Sequence, residues 1–567
     1  MRAAHLRLVV IISLIFYLIS MVIVKLDSSF VYRWVAFWLH ISSLLLITII
    51  YVFSLTNSFD LSKTVINKTN SYYLLTLTIL AALSRFIFLV TYPFVSIGDE
   101  VRDGGLNALE IATGQIKNIF GYGRYEAHGL IIPTITSFFY KMFDGSVLVW
   151  RLPTAIFSIL DIILLYILLS RITKNNIASF LGAMVLVSLP LHLFYSRTEI
   201  VVILSSFFST LILISLFIFL SRKAINLIDY IFLGTLLGFT FNLHASIKAF
   251  SIIVLIYIVL IRLYHLLSGK VKIVQFAIGI FLLFLFLFVG FGPRLFYTTF
   301  KIFFHTTRLP LLTTYEKVNY FKIAKDIKEK YQKSLLVWIK EPTMAWYPDH
   351  KPILTPICFY LMVLGIIVSL IRKSGYLVSI FSLGLILHFT NSAVTDILNG
   401  EHRLSPLWPI GALFIGIGIA FLLSKMKLKL LQYISASVIF LYLAYQGVIF
   451  FIEQPANKNK DIGDYLSMHT IYFLKSKKKL FNASGTFTFY VSPSNYVKFN
   501  YLHYKEQYAF FLPTISITIQ KGEMIKDNEI YIKSKQYNYN NKISIIKCNK
   551  MSYYGPLNYR GKILIHY

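Results

Sequence analysis

Residues 273–290 read I-V-Q-F-A-I-G-I-F-L-L-F-L-F-L-F-V-G, eighteen positions without one charged side chain. As a helix this run reaches about 27 Å, close to the hydrocarbon thickness of a bilayer. Runs of the same kind recur outward in both directions. Thirteen apolar segments are expected, at about 6–24, 34–55, 72–92, 147–169, 177–195, 200–220, 229–244, 248–264, 273–290, 353–371, 376–390, 406–423 and 430–452. The composition agrees: of 567 residues 57% are hydrophobic and 14% charged, against about 25% charged in soluble domains. A soluble enzyme, a disordered chain and a secreted disulfide scaffold are excluded for the whole chain. A β-barrel would show short alternating segments instead. The fold class is a polytopic α-helical membrane protein of about 13 transmembrane helices.

Charge orients the spans. With the N-terminus inside, the inside connections carry sixteen Lys and Arg, among them Arg2, Arg7, Lys63, Arg171, Arg222, Lys270, Arg372 and Lys425, opposed mainly by Asp60 and Asp229. Short inner loops rich in Lys and Arg are what the positive-inside rule requires. The net charge of +30 then reads as orientation and contact with anionic lipid rather than nucleic acid. The first segment follows Arg2 and Arg7 like a signal peptide, but lacks a small-residue cleavage pattern and is taken as a retained anchor. Three long stretches fall outside: 93–146, 291–352 and 453–567. The division is 1–71, two N-terminal spans and an inside loop; 72–452, the transmembrane core; and 453–567, a small extracytoplasmic α/β domain. Within the loops, Leu106–Ile119 predicts a helix along the interface and Asn319–Ile339 a Lys/Glu-rich loop helix. In the last domain, Thr486–Val491 and Ile515–Ile519 read as strands. Cys358 lies in an apolar run and Cys548 in a polar tail, so no disulfide joins them.

Chemistry should lie where polar groups gather on the outer side. V-S-I-G-D-E-V-R-D, Val95–Asp103, places Asp99 and Glu100 just beyond the third span. Partial burial there would make a carboxylate a stronger base. Downstream come Y-G-R-Y-E-A-H-G with His128, and F-D-G-S-V-L-V-W-R-L-P with Arg151 at a span boundary. His128 and Arg151 read as structural or substrate-binding groups, Arg151 as a snorkelling anchor with a structural partner. L-H-L-F-Y-S-R-T-E carries Arg197, N-L-H-A-S-I-K carries Lys248, and N-G-E-H-R-L-S-P-L-W-P carries His402 and Arg403. Three cations and two carboxylates from distant segments converge on one face. That set suits a lipid-linked phosphosugar: the cations hold the phosphate as leaving group and a carboxylate deprotonates the attacking hydroxyl. No Gly-rich phosphate loop and no metal-ligand spacing is visible, so a soluble nucleotide donor is not indicated.

These motifs, in this order over roughly residues 72–425, resemble the GT-C superfamily of integral-membrane glycosyltransferases, especially its protein O-mannosyltransferase and lipid A aminoarabinose transferase branch. They are G-D-E (Gly98–Glu100), the Phe143–Pro153 block, Pro190–Arg197, the Lys248 segment and His402–Pro409. The resemblance implies a polyprenyl-phosphate sugar donor, inversion at the anomeric carbon, and a hydroxyl acceptor on a lipid, glycan or protein outside the cytoplasm. It makes Asp99 the base, Glu100 a supporting carboxylate, and Arg403, Lys248 and Arg197 phosphate contacts. It implies residence in the cytoplasmic (inner or plasma) membrane and leaves a divalent cation open as cofactor. Rival readings are a lipid-linked glycan polymerase or ligase, a lipid flippase or transporter, and a noncatalytic scaffold. A transporter predicts membrane-embedded charges and inverted repeats, neither evident in the sequence.

Overall fold

In the computed structural model the described residues are 3–58, 68–89, 100–123, 129–143, 147–222, 226–297, 320–340, 352–393 and 401–453, with five strands beyond them. Helices α1 (Ala3–Leu26), α2 (Arg33–Ser58) and α3 (Lys68–Phe86) come first. A π-helical turn, Glu100–Leu106, leads into the short α4 (Asn107–Ala112), then α5 (Ile131–Phe143). The core continues with α6 (Val147–Thr173), α7 (Asn176–Ser188), α8 (Pro190–Tyr195), α9 (Val202–Ser221), α10 (Leu227–Thr240), α11 (Ala245–Leu267) and α12 (Ile273–Phe291). After α13 (Tyr320–Leu336) come α14 (Pro356–Ile371), α15 (Gly375–Ala393), α16 (Trp408–Lys425) and α17 (Lys429–Glu453). Eight of the helical stretches are long and apolar enough to cross a membrane, and five shorter apolar helices accompany them. The chain is an integral membrane protein.

Burial ranks the helices. In the membrane-length windows, 83% of α9 and 78% of the stretch containing α16 lie inside the protein, against 17% of α17 and 22% of α1. α9 and α16 are therefore the central posts, and the outer helices turn leucines and isoleucines toward lipid. Close helix contacts use glycine. A Cβ on Gly238 of α10 would collide with the Leu287 carbonyl of α12, and one on Gly290 with the Thr235 carbonyl in return. Gly365 of α14 and Gly418 of α16 face each other in the same way. Such backbone approach is the usual means of packing helices in lipid, where no hydrophobic force draws them together.

Every expected apolar segment is helical, with three differences. The segment 177–195 is two helices, α7 and α8, because Pro190 has no N–H to give the Leu186 carbonyl. The expected interfacial helix at Leu106–Ile119 stops at Ala112, where Gly114 turns with φ +80°. Ile111, Ile119 and Phe120 of this stretch pack with Ala36 and Phe37 of α2. The third difference is α5, an apolar helix inside the stretch assigned to an outer loop. The Asn319–Ile339 expectation corresponds to α13.

The described residues past α17 form one five-stranded sheet in the order β2-β1-β3-β4-β5. The strands are β1 (Gly485–Val491), β2 (Ile515–Lys521), β3 (Glu529–Ser534), β4 (Tyr539–Ile545) and β5 (Ile563–His566). β1 and β2 are parallel, Gly485 opposite Ile515, and the remaining pairs are antiparallel. A parallel pair needs a crossover. That connection, and any helix of the expected α/β domain, lies outside the described residues, as does Cys548.

Candidate active site

Arg151 lies in the second turn of α6 and is 1% exposed. Its Nε donates to Glu100 Oε1 at 2.8 Å and its Nη2 to Oε2 at 3.2 Å. Its Nη1 donates to the Leu89 carbonyl at 3.0 Å. The N–H of Glu199 donates to the same Oε1 at 3.1 Å. A forked, fully hydrogen-bonded pair is the form in which a buried ion pair is tolerable. One guanidinium thus holds residue 89 and residue 100, the two ends of the segment that carries Asp99. Asp99 itself lies outside the described residues, as does His128.

Glu199 occupies the turn between α8 and α9 and is 3% exposed. Gly104 of the π-helical turn presses on its carboxyl, where a Cβ would stand 2.7 Å from Oε2. Burial pushes its pKa well above the usual carboxylate range, the neighbouring Glu100 charge adds to the rise, and the close Thr136 hydroxyl pulls the other way. Thr136 is near but not in hydrogen-bond geometry, so the desolvated carboxyl has little to hold its charge.

A second cluster is cationic. Lys248, in the first turn of α11, is 3% exposed and Arg294, just past α12, is 2% exposed; each lies in the other's field. Gly292, at φ +71°, turns the chain out of α12 and sets Arg294 over the Tyr122 ring, 4.2 Å from its centroid. Arg294 Nη1 donates to the Phe241 carbonyl at 3.2 Å. His244 caps α11, its Nδ1 accepting the Ser246 N–H, and its ring meets His402 edge-on at 5.6 Å. Burial, the Arg403 charge and the Lys248 charge, in that order, hold the His244 pKa down at about 3. Arg403 and His402 sit in a 3-10 turn, Glu401–Leu407, tied down by Asn391, whose Nδ2 donates to the Arg403 carbonyl at 2.8 Å. The residues on either side of α4 join the two clusters. Tyr122 bridges Gly129, the Gly129 N–H donates to the Asn242 carbonyl at 3.1 Å, and the π-helical turn presses on Glu199.

The chain is similar in structure to ArnT from Cupriavidus metallidurans bound to undecaprenyl phosphate. Sequence identity is 13%, the match covers 72% of this chain and 73% of that one, and the TM-score is 0.37. No family model matches the chain, and no curated protein matches it. A likeness at that score aligns no side chains, so the chemistry has to be read from this chain's own groups.

Of the expected site residues, the structure brings together Lys248, His402 and Arg403, and separately Glu100 and Arg151. Arg151 is no snorkelling anchor: it is buried and paired, not extended to the headgroups. Arg197 is engaged elsewhere, donating from Nη1 to the Ser84 and Arg85 carbonyls at 2.8 and 3.0 Å and from Nη2 to the Ile87 carbonyl. It caps the open C-terminal end of α3. Arg294, His244 and Glu199 were not singled out in the sequence. Arg294 carried a usable signal, a cation directly after the apolar run that ends at Phe291. Glu199 carried none, since one acid in a short turn is ordinary. Among the described residues no group of three or more His, Cys, Asp or Glu could hold a metal.

Proposed function

We propose that the chain is an inverting glycosyltransferase of GT-C type that moves a sugar from a polyprenyl-phosphate carrier to a hydroxyl on a lipid, glycan or protein at the outer face of the membrane. The supporting observation is a run of buried cations: Arg403 and Lys248 both act on His244, and Arg294 acts on Lys248. Like charges brought this close raise one another's energy, and an anion placed among them relieves it. On the thirteen-span arrangement with the N-terminus inside, all three stand at the outer ends of spans, at the depth of a lipid phosphate. The C-terminal sheet then belongs to an outer domain.

In this mechanism Asp99, held between the two residues that Arg151 clamps, takes the proton of the acceptor hydroxyl. The acceptor oxygen attacks the anomeric carbon from the face opposite the phosphate. The bond from that carbon to the phosphate oxygen breaks, the configuration inverts, and the lipid phosphate leaves with the electron pair. Lys248, Arg294 and Arg403 meet the charge that develops on it. Glu100 fixes the segment rather than carrying a proton, since Arg151 and the Glu199 N–H occupy its oxygens. Arg197 is assigned to the α3 cap.

The test is sugar transfer from a labelled polyprenyl-phosphate sugar by the purified protein in lipid nanodiscs, with free polyprenyl phosphate as competitor. The expected result is transfer that the competitor suppresses, and a donor KM raised about tenfold or more in Arg403→Gln and Arg294→Gln, the loss of a charge-assisted hydrogen bond. Transfer with an unchanged donor KM in both variants would take the phosphate away from this cluster.

A further inference from the structure

Beneath the site, inside the helix bundle, lies a second set of buried charges that the mechanism does not use, so the expectation of no membrane-embedded charge does not hold at Asp161 of α6. Asp161 of α6 accepts from Ser206 Oγ at 2.6 Å and Thr210 Oγ1 at 2.5 Å, both on α9. His192 Nε2 stands 3.2 Å from the same carboxylate. On the far side of that ring, Nδ1 is 2.7 Å from Arg85 Nη2 of α3. Asp161, His192 and Arg85 are each fully buried. A guanidinium can only donate. Nδ1 must therefore accept, and the ring proton sits on Nε2, directed at Asp161. The imidazole is neutral and held in one tautomer between a cation and an anion.

The set touches the helices and the turn that hold the Glu100 side of the site, and reaches toward the Glu401–Leu407 turn on the other. Arg85 also donates to the Leu186 and Val187 carbonyls at 2.8 and 2.9 Å, which supplies the donor that Pro190 lacks and fixes the break between α7 and α8. The turn after α8 gives the N–H that holds Glu100, and Arg197 from the same turn caps α3. Toward the cationic side, His192 meets Trp408 edge-on at 6.2 Å and Tyr195 stacks on it at 5.9 Å. Trp408 begins α16 directly after the turn bearing His402 and Arg403. Ser209, on the same polar face of α9 as Ser206 and Thr210, donates to the Pro406 carbonyl of that turn at 2.7 Å.

We propose that the Asp161–His192–Arg85 relay is a positioning network that sets the carboxylate half of the site, on α3, α6 and the α8–α9 turn, against the cationic half on the Glu401–Leu407 turn. The proposal rests on the glycosyltransferase reading for its kinetic consequence, but not for the tautomer. A displacement of about 1 Å between reacting groups is enough to cost about 10²-fold in rate. The network should act on kcat and leave donor binding alone.

Two measurements test it. Nitrogen-15 NMR of histidine-labelled protein, with His192 assigned by difference against His192→Gln, should give a neutral ring protonated at Nε2 at neutral pH. An imidazolium, or a ring protonated at Nδ1, overturns the proposal whatever the enzyme does. In the transfer assay His192→Phe, which keeps a ring but neither bond, should lower kcat about 10–10²-fold with donor KM within twofold. His192→Gln, which keeps one donor and one acceptor, should recover most of the loss. A full-rate His192→Phe, or a Gln variant no better than a folded Phe variant, contradicts it. If His192→Phe does not fold, the Gln variant decides: kcat within threefold of the parent sustains the proposal, and a loss of 10-fold or more contradicts it. If the parent transfers no sugar, the glycosyltransferase reading fails while the NMR result still decides the relay.

Discussion

Arg151 spends its buried charge on holding both ends of one segment. Removing either partner strands a charge away from water, which costs about 3–5 kcal/mol, whereas replacing both with apolar groups of similar volume costs far less. Glu100→Leu and Arg151→Met should therefore each lower the unfolding temperature sharply, and the two together should recover much of the loss. A double-mutant cycle by thermal denaturation in detergent checks this. Glu199 gives the opposite pH signature. Its pKa is raised on folding, chiefly by burial, so the folded state is favoured below the ordinary carboxyl range near 4.5 and loses that advantage as pH rises. Glu199→Gln should unfold at a higher temperature than the parent at about pH 8, with the gap closing toward about pH 4, where the unfolded chain's carboxyl is largely protonated as well. His244 runs in reverse. Its pKa falls from 6.5 to about 3 on folding, so stability drops as pH falls through that window, and His244→Asn should flatten the acid side of the unfolding profile. Arg151 also shows the reach of sequence reading: its place at a span boundary was legible, but its partner, fifty-one positions away in sequence, was not.

At the scale of elements, hydropathy located the apolar helices of the core other than α5, because burial in lipid imposes long apolar runs. What it missed is where the pattern is shared by different environments. α5 has the apolar residues of a protein-facing helix in a stretch too short and mixed to read as a span. The Leu106–Ile119 pattern ended early, because Gly114 takes a backbone conformation that a helix cannot continue. Pro190 was visible, but the guanidinium that relieves it sits on α3. The α10–α12 contact makes a prediction of its own. Gly238→Val pushes a side chain into the Leu287 carbonyl, so the two helices must separate. It should destabilise the protein by about 2 kcal/mol or more, measured as the shift in thermal unfolding, whereas Gly375→Ala, at a position with open space, should not.

For the whole molecule, the charges are sorted by depth. Arg222 pairs with Asp229 at 2.6 Å at the basic end of α9, the Asp161 relay crosses the middle, and both proposed halves of the site stand at the other end. The candidate site was partly legible from sequence: Lys248, His402 and Arg403 stood out as cations at span ends away from the basic connections, and Glu100 as one of two adjacent carboxylates. Their grouping was not legible, since it depends on turns that pack through Gly104, Gly129 and Gly292. The most direct test of the account is transfer from a labelled polyprenyl-phosphate sugar by the parent and by Asp99→Asn in lipid nanodiscs, each checked for folding by thermal denaturation. The account predicts transfer by the parent and a kcat lower by about 10²-fold or more in a folded Asp99→Asn, with donor KM unchanged. Equal transfer by the two proteins would contradict it.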